Sequence, residues 1–199
     1  MIEFINLSNK TPYLLFKNKY DEAIKNGQKN IDAMSIASYN NKRDEVDSRF
    51  VNLKFIDDEN FIFFTNYNSP KAKAFESYNQ ISSLFYWPTI NTQIRIKAYI
   101  FKTSIEYNNL YFKQRSKNKN ALAISSDQSQ HISSYAEVIS KYNNVKDTQD
   151  LSKCPEYWGG FSFKPFEIEF WVGNNFRLNE RNMYKKNEDN SWTHLILEP

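Results

Sequence analysis

The chain has 199 residues, 40% hydrophobic and 17% aromatic, with a formal net charge of +3, which is enough to bury a core without staples and too apolar for a disordered chain. The mild, unclustered basicity argues against a nucleic-acid binder; no apolar run approaches membrane-spanning length, and Met1-Ile2-Glu3 lacks the basic head of a signal peptide. One cysteine, Cys154, excludes an intrachain disulfide and makes a reducing cytoplasm the expected setting, while two histidines, His131 and His194, give zinc sites of the His-rich kind and Ser–His–Asp hydrolysis almost nothing to work with.

In chain order, residues 12 to 27 read as an amphipathic helix, opened by Thr11-Pro12, striped by Leu14, Leu15, Tyr20 and Ile24, and ended by Asn26-Gly27. Ala33 to Tyr39 is a strand by content, and Asn40 to Asp47 a polar hairpin connection. Ser48 to Ile56 reads as one strand that pairs with Phe61 to Asn66 in a meander. Ser69-Pro70-Lys71-Ala72-Lys73 is a helix start with Ser69 as N-cap. Cations in a first turn oppose the helix dipole, so Lys71 and Lys73 make sense if an anion docks there; ordinary surface lysines are the plainer alternative. Strands follow at Ile81 to Trp87 and Thr92 to Ile105. A helix spans Glu106 to Arg115, with Leu110 and Tyr111 on its buried side, and a short one Ala121 to Ser125. A Ser134-x-x-Glu137 capping box opens a helix to about Tyr142, and Asn143 to Lys153 is loop-like. The last strands cover 157 to 172, Arg181 to Lys186 and Trp192 to Leu197, with Glu188-Asp189-Asn190 as a turn.

The stretch Tyr157 to Arg181 is the most informative. Phe161, Phe163, Phe166, Ile168 and Phe170 alternate with one slip at Pro165, which predicts a half-buried strand with a bulge or an edge. Gly173-Asn174-Asn175 supplies the residues of a tight reversal. Beyond it Arg177, Asn179 and Arg181 lie two apart, on one face of an extended segment beside Trp171, a set suited to a planar anionic ligand. Solvated charges on an exposed strand are the plain alternative. The whole order predicts a single domain over 1–199, β-rich α+β, an antiparallel barrel with helices outside. With no Gly-rich phosphate loop, an enzyme of this composition draws its difficult chemistry from a cofactor.

The ordered set Arg49-Phe-Val-Asn-Leu-Lys54, Phe63-Phe-Thr-Asn66, Ser69-Pro-Lys71, Gln93, Tyr111-x-x-x-Arg115, Gln128-Ser129, Trp158-Gly-Gly-Phe161, Glu169-Phe-Trp-x-Gly173 and Arg177-Leu-Asn-Glu-Arg181 resembles the pyridoxamine 5′-phosphate oxidase family of FMN enzymes, from about Thr11 to Pro199. The resemblance implies a split β-barrel homodimer with two FMN sites at the subunit interface. It implies that Arg49, Lys54, Phe64, Thr65, Lys71, Gln93, Gln128, Ser129, Trp171 and Arg181 hold FMN. It also implies that Lys54, Tyr111, Arg115, Lys119, Arg177 and Asn179 meet the substrate, with Arg177 and Asn179 at the reacting centre. The implied reaction is oxidation of pyridoxine or pyridoxamine 5′-phosphate at C4′, with dioxygen as final acceptor. On the composition, no metal, nucleic-acid or membrane partner is expected.

Three positions depart from the family pattern. Pro70 stands where an Arg usually sits beside Lys71, removing one phosphate fork. Asn179 replaces the His of an Arg-Leu-His triplet, removing a titratable group. Lys119 replaces a Ser at the substrate phosphate, where an ammonium can also bind. A related FMN oxidoreductase for another small ring substrate, and a non-catalytic FMN- or pyridoxal-phosphate-binding protein, therefore stand as alternatives.

Overall fold

The computed structural model describes all 199 residues. Ten strands and five helices follow the order β1 (Glu3–Ile5), α1 (Thr11–Lys25), β2 (Ala33–Asn40), β3 (Glu45–Asn52), β4 (Phe55–Asp57), β5 (Asn60–Asn66), α2 (Pro70–Ser77), β6 (Gln80–Trp87), β7 (Thr92–Lys102), α3 (Ile105–Gln114), α4 (Lys117–Ser125), α5 (Tyr135–Thr148), β8 (Trp158–Val172), β9 (Glu180–Lys186) and β10 (Trp192–Ile196). The strands form one sheet in the order β1-β4-β5-β8-β7-β6-β2-β3, with β9 on β8 and β10 on β9. All pairings are antiparallel except β1 with β4, which is parallel. The sheet is divided by β8: its first half pairs with β5 through Trp158–Phe163, its second with β9 through Glu167–Val172, and β7 pairs along the other edge from Phe161 to Val172. The change of partner falls at a bulge. Lys97 faces Glu167 and Ala98 faces Pro165, so Phe166 is the extra residue, and the slip read at Pro165 is a real kink.

The core is aromatic. Phe16 of α1 packs edge-on against Phe61 at 5.3 Å, Phe85 at 5.4 Å and Trp87 at 5.6 Å, and Phe61 stacks on Phe163 at 5.2 Å. The buried stripe of α1 is Tyr13, Phe16, Tyr20 and Ala23. Only Tyr20 of the expected stripe lies on it; Leu14 and Ile24 are exposed. The 3-4-3 spacing from Tyr13 carries more aromatic area than the Leu stripe, so it wins the core face.

Other expectations also give way. The stretch Ser48 to Ile56 is two strands, broken at Leu53-Lys54, where Leu53 N–H donates to Asp32 O and Lys54 N–H to Ile62 O. β3 accordingly pairs with β2, and only β4 forms the hairpin with β5. α5 continues to Thr148, well past Tyr142, because a polar stretch at the surface needs only one buried anchor, Val145. In α3 the buried residues are Asn108 and Phe112, and Leu110 is exposed. The reversal after β8 is a seven-residue loop, 173–179, rather than a tight turn. Its left-handed residue is Arg177, at φ 61°, and not Gly173. Gly173 is needed for space: a Cβ there would meet Asn91 Nδ2 at 2.2 Å. Since Arg177 sits in that loop and only Arg181 lies in β9, Arg177, Asn179 and Arg181 do not share one strand face.

Candidate active site

A cleft of about 310 Å3 opens between the β3–β4 break, the end of β5, and helices α2, α3 and α4. Eight of the residues expected to bind ligands line it: Lys54, Phe64, Thr65, Lys71, Tyr111, Arg115, Lys119 and Gln128. Its floor is a stack of flat rings. Phe64 lies 3.9 Å from Tyr111 and 5.3 Å from Trp158 between centroids, at interplanar angles of 24° and 10°. Such a surface suits another planar ring.

Its electrostatics are those of an anion site. Lys71 is only 7% exposed, yet its ammonium donates to two neutral oxygens, Gln128 Oε1 at 3.2 Å and Ser69 Oγ at 3.3 Å, and to no carboxylate. Burial first, and the Arg49 charge second, push its pKa down to about 8. A buried cation without a counter-charge is costly unless a ligand supplies one. Thr65 Oγ1 donates to the same Gln128 oxygen at 3.1 Å, which aims that amide into the Lys71 corner. Ser69 occupies the N-cap position but its hydroxyl donates to Asn66 O at 2.7 Å instead of capping, leaving the first amides of α2 without a side-chain cap. Lys73, by contrast, is exposed.

Arg115 forms the second cationic corner. Its guanidinium stacks on Trp158 at 4.2 Å, Nη2 donates to Lys119 O at 3.3 Å, and Nη1 is buried with no hydrogen-bond partner. Burial lowers its pKa and raises that of Tyr111 beside it. Lys119 is exposed at the rim. Lys54 is held by Asp32 at 2.8 Å, whose carboxyl burial pushes up but the Lys54 hydrogen bond and charge bring below its usual range. Arg49 lies just outside the cleft on β3; Nη1 donates to Ser38 Oγ at 2.9 Å, and Nη2 pairs with Asp47.

The remaining expected residues form a second group. Gln93, Trp171 and Arg181 stand in lateral register across β7, β8 and β9. Glu169, 7% exposed, accepts from Arg181 Nε at 2.8 Å and orients it. From Trp158 in the cleft to Trp171 in this band the chain runs thirteen residues of β8, roughly 40 Å of strand. Arg177 is exposed on the adjoining loop, and Asn179 Oδ1 accepts from Asn174 N–H at 3.1 Å, so it closes that loop. Ser129, at φ 66°, lines a separate groove beside α5. Sequence reasoning gave no role to Trp158 or Asp32; the pair of glycines after Trp158 was the available signal for the first, and nothing local marks the second.

A family model described as the pyridoxine 5′-phosphate oxidase C-terminal dimerisation region matches residues 158–199. A pyridoxine/pyridoxamine 5′-phosphate oxidase of Coxiella burnetii is 36% identical over 189 residues, covering 94% of this chain and 95% of the relative. The chain belongs to the pyridoxine/pyridoxamine 5′-phosphate oxidase family. Its namesake from Colwellia psychrerythraea is 35% identical over 194 residues, covering 96% of this chain and 88% of that one. In fold, the chain is similar to PhzG from Burkholderia lata, solved with tetrahydrophenazine-1-carboxylic acid, at a TM-score of 0.89, 24% identity, and coverage of 96% and 93%. That family membership fits the split barrel, and the region matched by the dimerisation model contains both Trp158 of the cleft and the Trp171–Arg181 band.

Proposed function

We propose that this protein is an FMN-dependent oxidase that converts pyridoxine or pyridoxamine 5′-phosphate to pyridoxal 5′-phosphate, with dioxygen reduced to peroxide. The observation that carries the reading is the pairing, in one cleft with an aromatic floor, of two cationic corners that lack acidic partners: buried Lys71, and Arg115 with its unpartnered Nη1. A cofactor phosphate and a substrate phosphate would answer both. The donor set fits FMN, with Lys71, Thr65, Gln128 and Arg49 around its phosphate and Lys54 and Phe64 further along the cleft. Bound there, FMN supplies a two-electron acceptor that dioxygen can reoxidise, chemistry that a chain with two histidines and one cysteine does not itself provide. The chain's own residues bind and orient. Arg115, Tyr111 and Lys119 would hold the substrate phosphate, Arg115 through charge-assisted bonds worth roughly 1.5–3 kcal/mol each. The rings of Phe64, Tyr111 and Trp158 shield the cleft from water on one side, so reacting atoms meet at short range.

A second copy of the chain would complete the site. Gln93, Trp171 and Arg181 are too far along β8 to serve the cleft of their own chain, and the tip Phe176-Arg177-Leu178 beside them exposes two large apolar side chains, 84% and 69% accessible. Docked on another copy, this band would bring Gln93, Trp171, Arg181, Arg177 and Asn179 to the partner's cleft, while Ser129 stays in its own groove beside α5. No helix is long and apolar enough to cross a membrane, and the lone Cys154 suits work in a reducing cytoplasm. Aerobic turnover tests the reading: pyridoxine 5′-phosphate should yield aldehyde and peroxide one for one, and FMN-loaded protein giving neither would refute it.

A further inference from the structure

We infer that Asn108 is a positioning residue for the phosphate-holding side of the cleft, fixing α3 so that Tyr111 and Arg115 face Trp158. The inference rests on the oxidase reading for the identity of the substrate. α3 is a surface helix with two buried residues, Asn108 and Phe112. Phe112 provides an apolar anchor, its ring 5.0 Å from that of Trp158. Ring contact of this kind sets how deep the helix sits but has little say in its rotation. Rotation needs directional bonds, and Asn108 supplies them.

Asn108 is 4% exposed and both ends of its amide are used. Oδ1 accepts from Gly160 N–H at 2.8 Å and from the Thr103 hydroxyl at 2.6 Å, and Nδ2 donates to the Tyr67 hydroxyl at 3.0 Å. Tyr67 in turn donates to Gly160 O at 3.0 Å. One buried hub thus joins the exit of β5, the exit of β7, α3, and β8 two residues past Trp158. Tyr111 follows Asn108 by three positions on the same helix face, and Arg115 is the C-cap residue four further on, so whatever fixes Asn108 fixes the end of the helix that carries both. Gly159 is shaped to the same hub, since a Cβ there would meet Tyr67 Oη at 2.2 Å and Asn108 Nδ2 at 2.4 Å.

The test compares FMN-loaded wild type with Asn108→Ala. Five quantities are read: the Kd for FMN, the Kd for pyridoxal 5′-phosphate, KM and kcat for pyridoxine 5′-phosphate, and the preference for that substrate over unphosphorylated pyridoxine. A misaimed Arg115 should raise KM for the phosphorylated substrate roughly tenfold and reduce the phosphate preference by a similar factor. FMN affinity, set by the Lys71 corner, should hold, and kcat should fall much less than KM rises. Tyr67→Phe, which keeps the ring and removes one arm of the hub, should shift the same quantities in the same direction by less, and decides the matter if Asn108→Ala does not fold. Unchanged phosphate preference, or FMN and substrate affinities falling together with thermal stability, overturns the inference. A wild type that binds neither vitamin phosphate overturns the oxidase reading itself, and the positioning role with it.

Discussion

Replacing Lys71 with Met should make the cofactor-free protein more stable and the cofactor weaker-bound at once. Burial, and then the Arg49 charge, push the Lys71 pKa down to about 8, a depression corresponding to about 3 kcal/mol of destabilisation when the group is charged. An unfolded lysine binds its proton up to a higher pH than this folded one, so the penalty is fully present below pH 8 and is relieved as pH rises from 8 toward the ordinary lysine range. Near neutral pH, Lys71→Met removes it and keeps most of the buried stem's volume. The apoprotein should gain up to about 3 kcal/mol, roughly 6–12 °C in Tm for a chain of this size, and its stability should lose the rise with pH between 8 and 10. FMN should lose a charge-assisted phosphate contact worth about 1.5–3 kcal/mol, a roughly tenfold to hundredfold weaker Kd. Denaturant melts of apoprotein at several pH values, together with quenching of FMN fluorescence on titration, measure both sides. A variant that is less stable as apoprotein and binds FMN as tightly as wild type would refute the reasoning: Lys71 would then be an internal structural cation satisfied by Gln128 and Ser69.

Arg115→Ala should raise KM for pyridoxine 5′-phosphate by roughly tenfold to a hundredfold, while the reaction with unphosphorylated pyridoxine changes little; steady-state kinetics on the two substrates checks this. Gly159→Ala forces a Cβ into the Tyr67 and Asn108 side chains and should destabilise by about 2 kcal/mol, roughly 4–8 °C in Tm, read by calorimetry. Cys154 is half-buried and its thiol is pushed up to about 11, by burial despite the nearby Arg115 charge. It should therefore alkylate with iodoacetamide near pH 7.5 far more slowly than a free thiol, and rapid labelling of folded protein would contradict the packing around Trp158.

Much of the barrel was legible because its strands alternate strongly. The β6 and β7 runs, and the kink at Pro165, follow from period-two patterning and a proline that cannot donate to a ladder. The cleft residues were legible as an ordered set of motifs and, for Lys71, from the oddity of cations in a helix's first turn. What was not legible depends on contacts far apart in sequence. The break at Leu53-Lys54 comes from hydrogen bonds to Asp32 and Ile62 on other strands. The stripe of α1 is chosen by Phe61, Phe85 and Trp87, which lie far along the chain. Arg177 looked like a strand residue because alternation continues through it; the structure puts it in a left-handed turn, where Asn174 and Asn179 close the loop. The Asn108 hub spans residues 67 to 160, and no local pattern announces it.

An anaerobic titration of FMN-loaded protein with pyridoxine 5′-phosphate, following the flavin's visible absorbance, tests hydride transfer most directly. Bleaching that reverses when air is admitted is the expected result, since the substrate's electrons must pass to the flavin and then to dioxygen. A flavin that stays yellow while the vitamin phosphate is demonstrably bound would contradict the account and leave a cleft that holds both ligands without joining them in reaction.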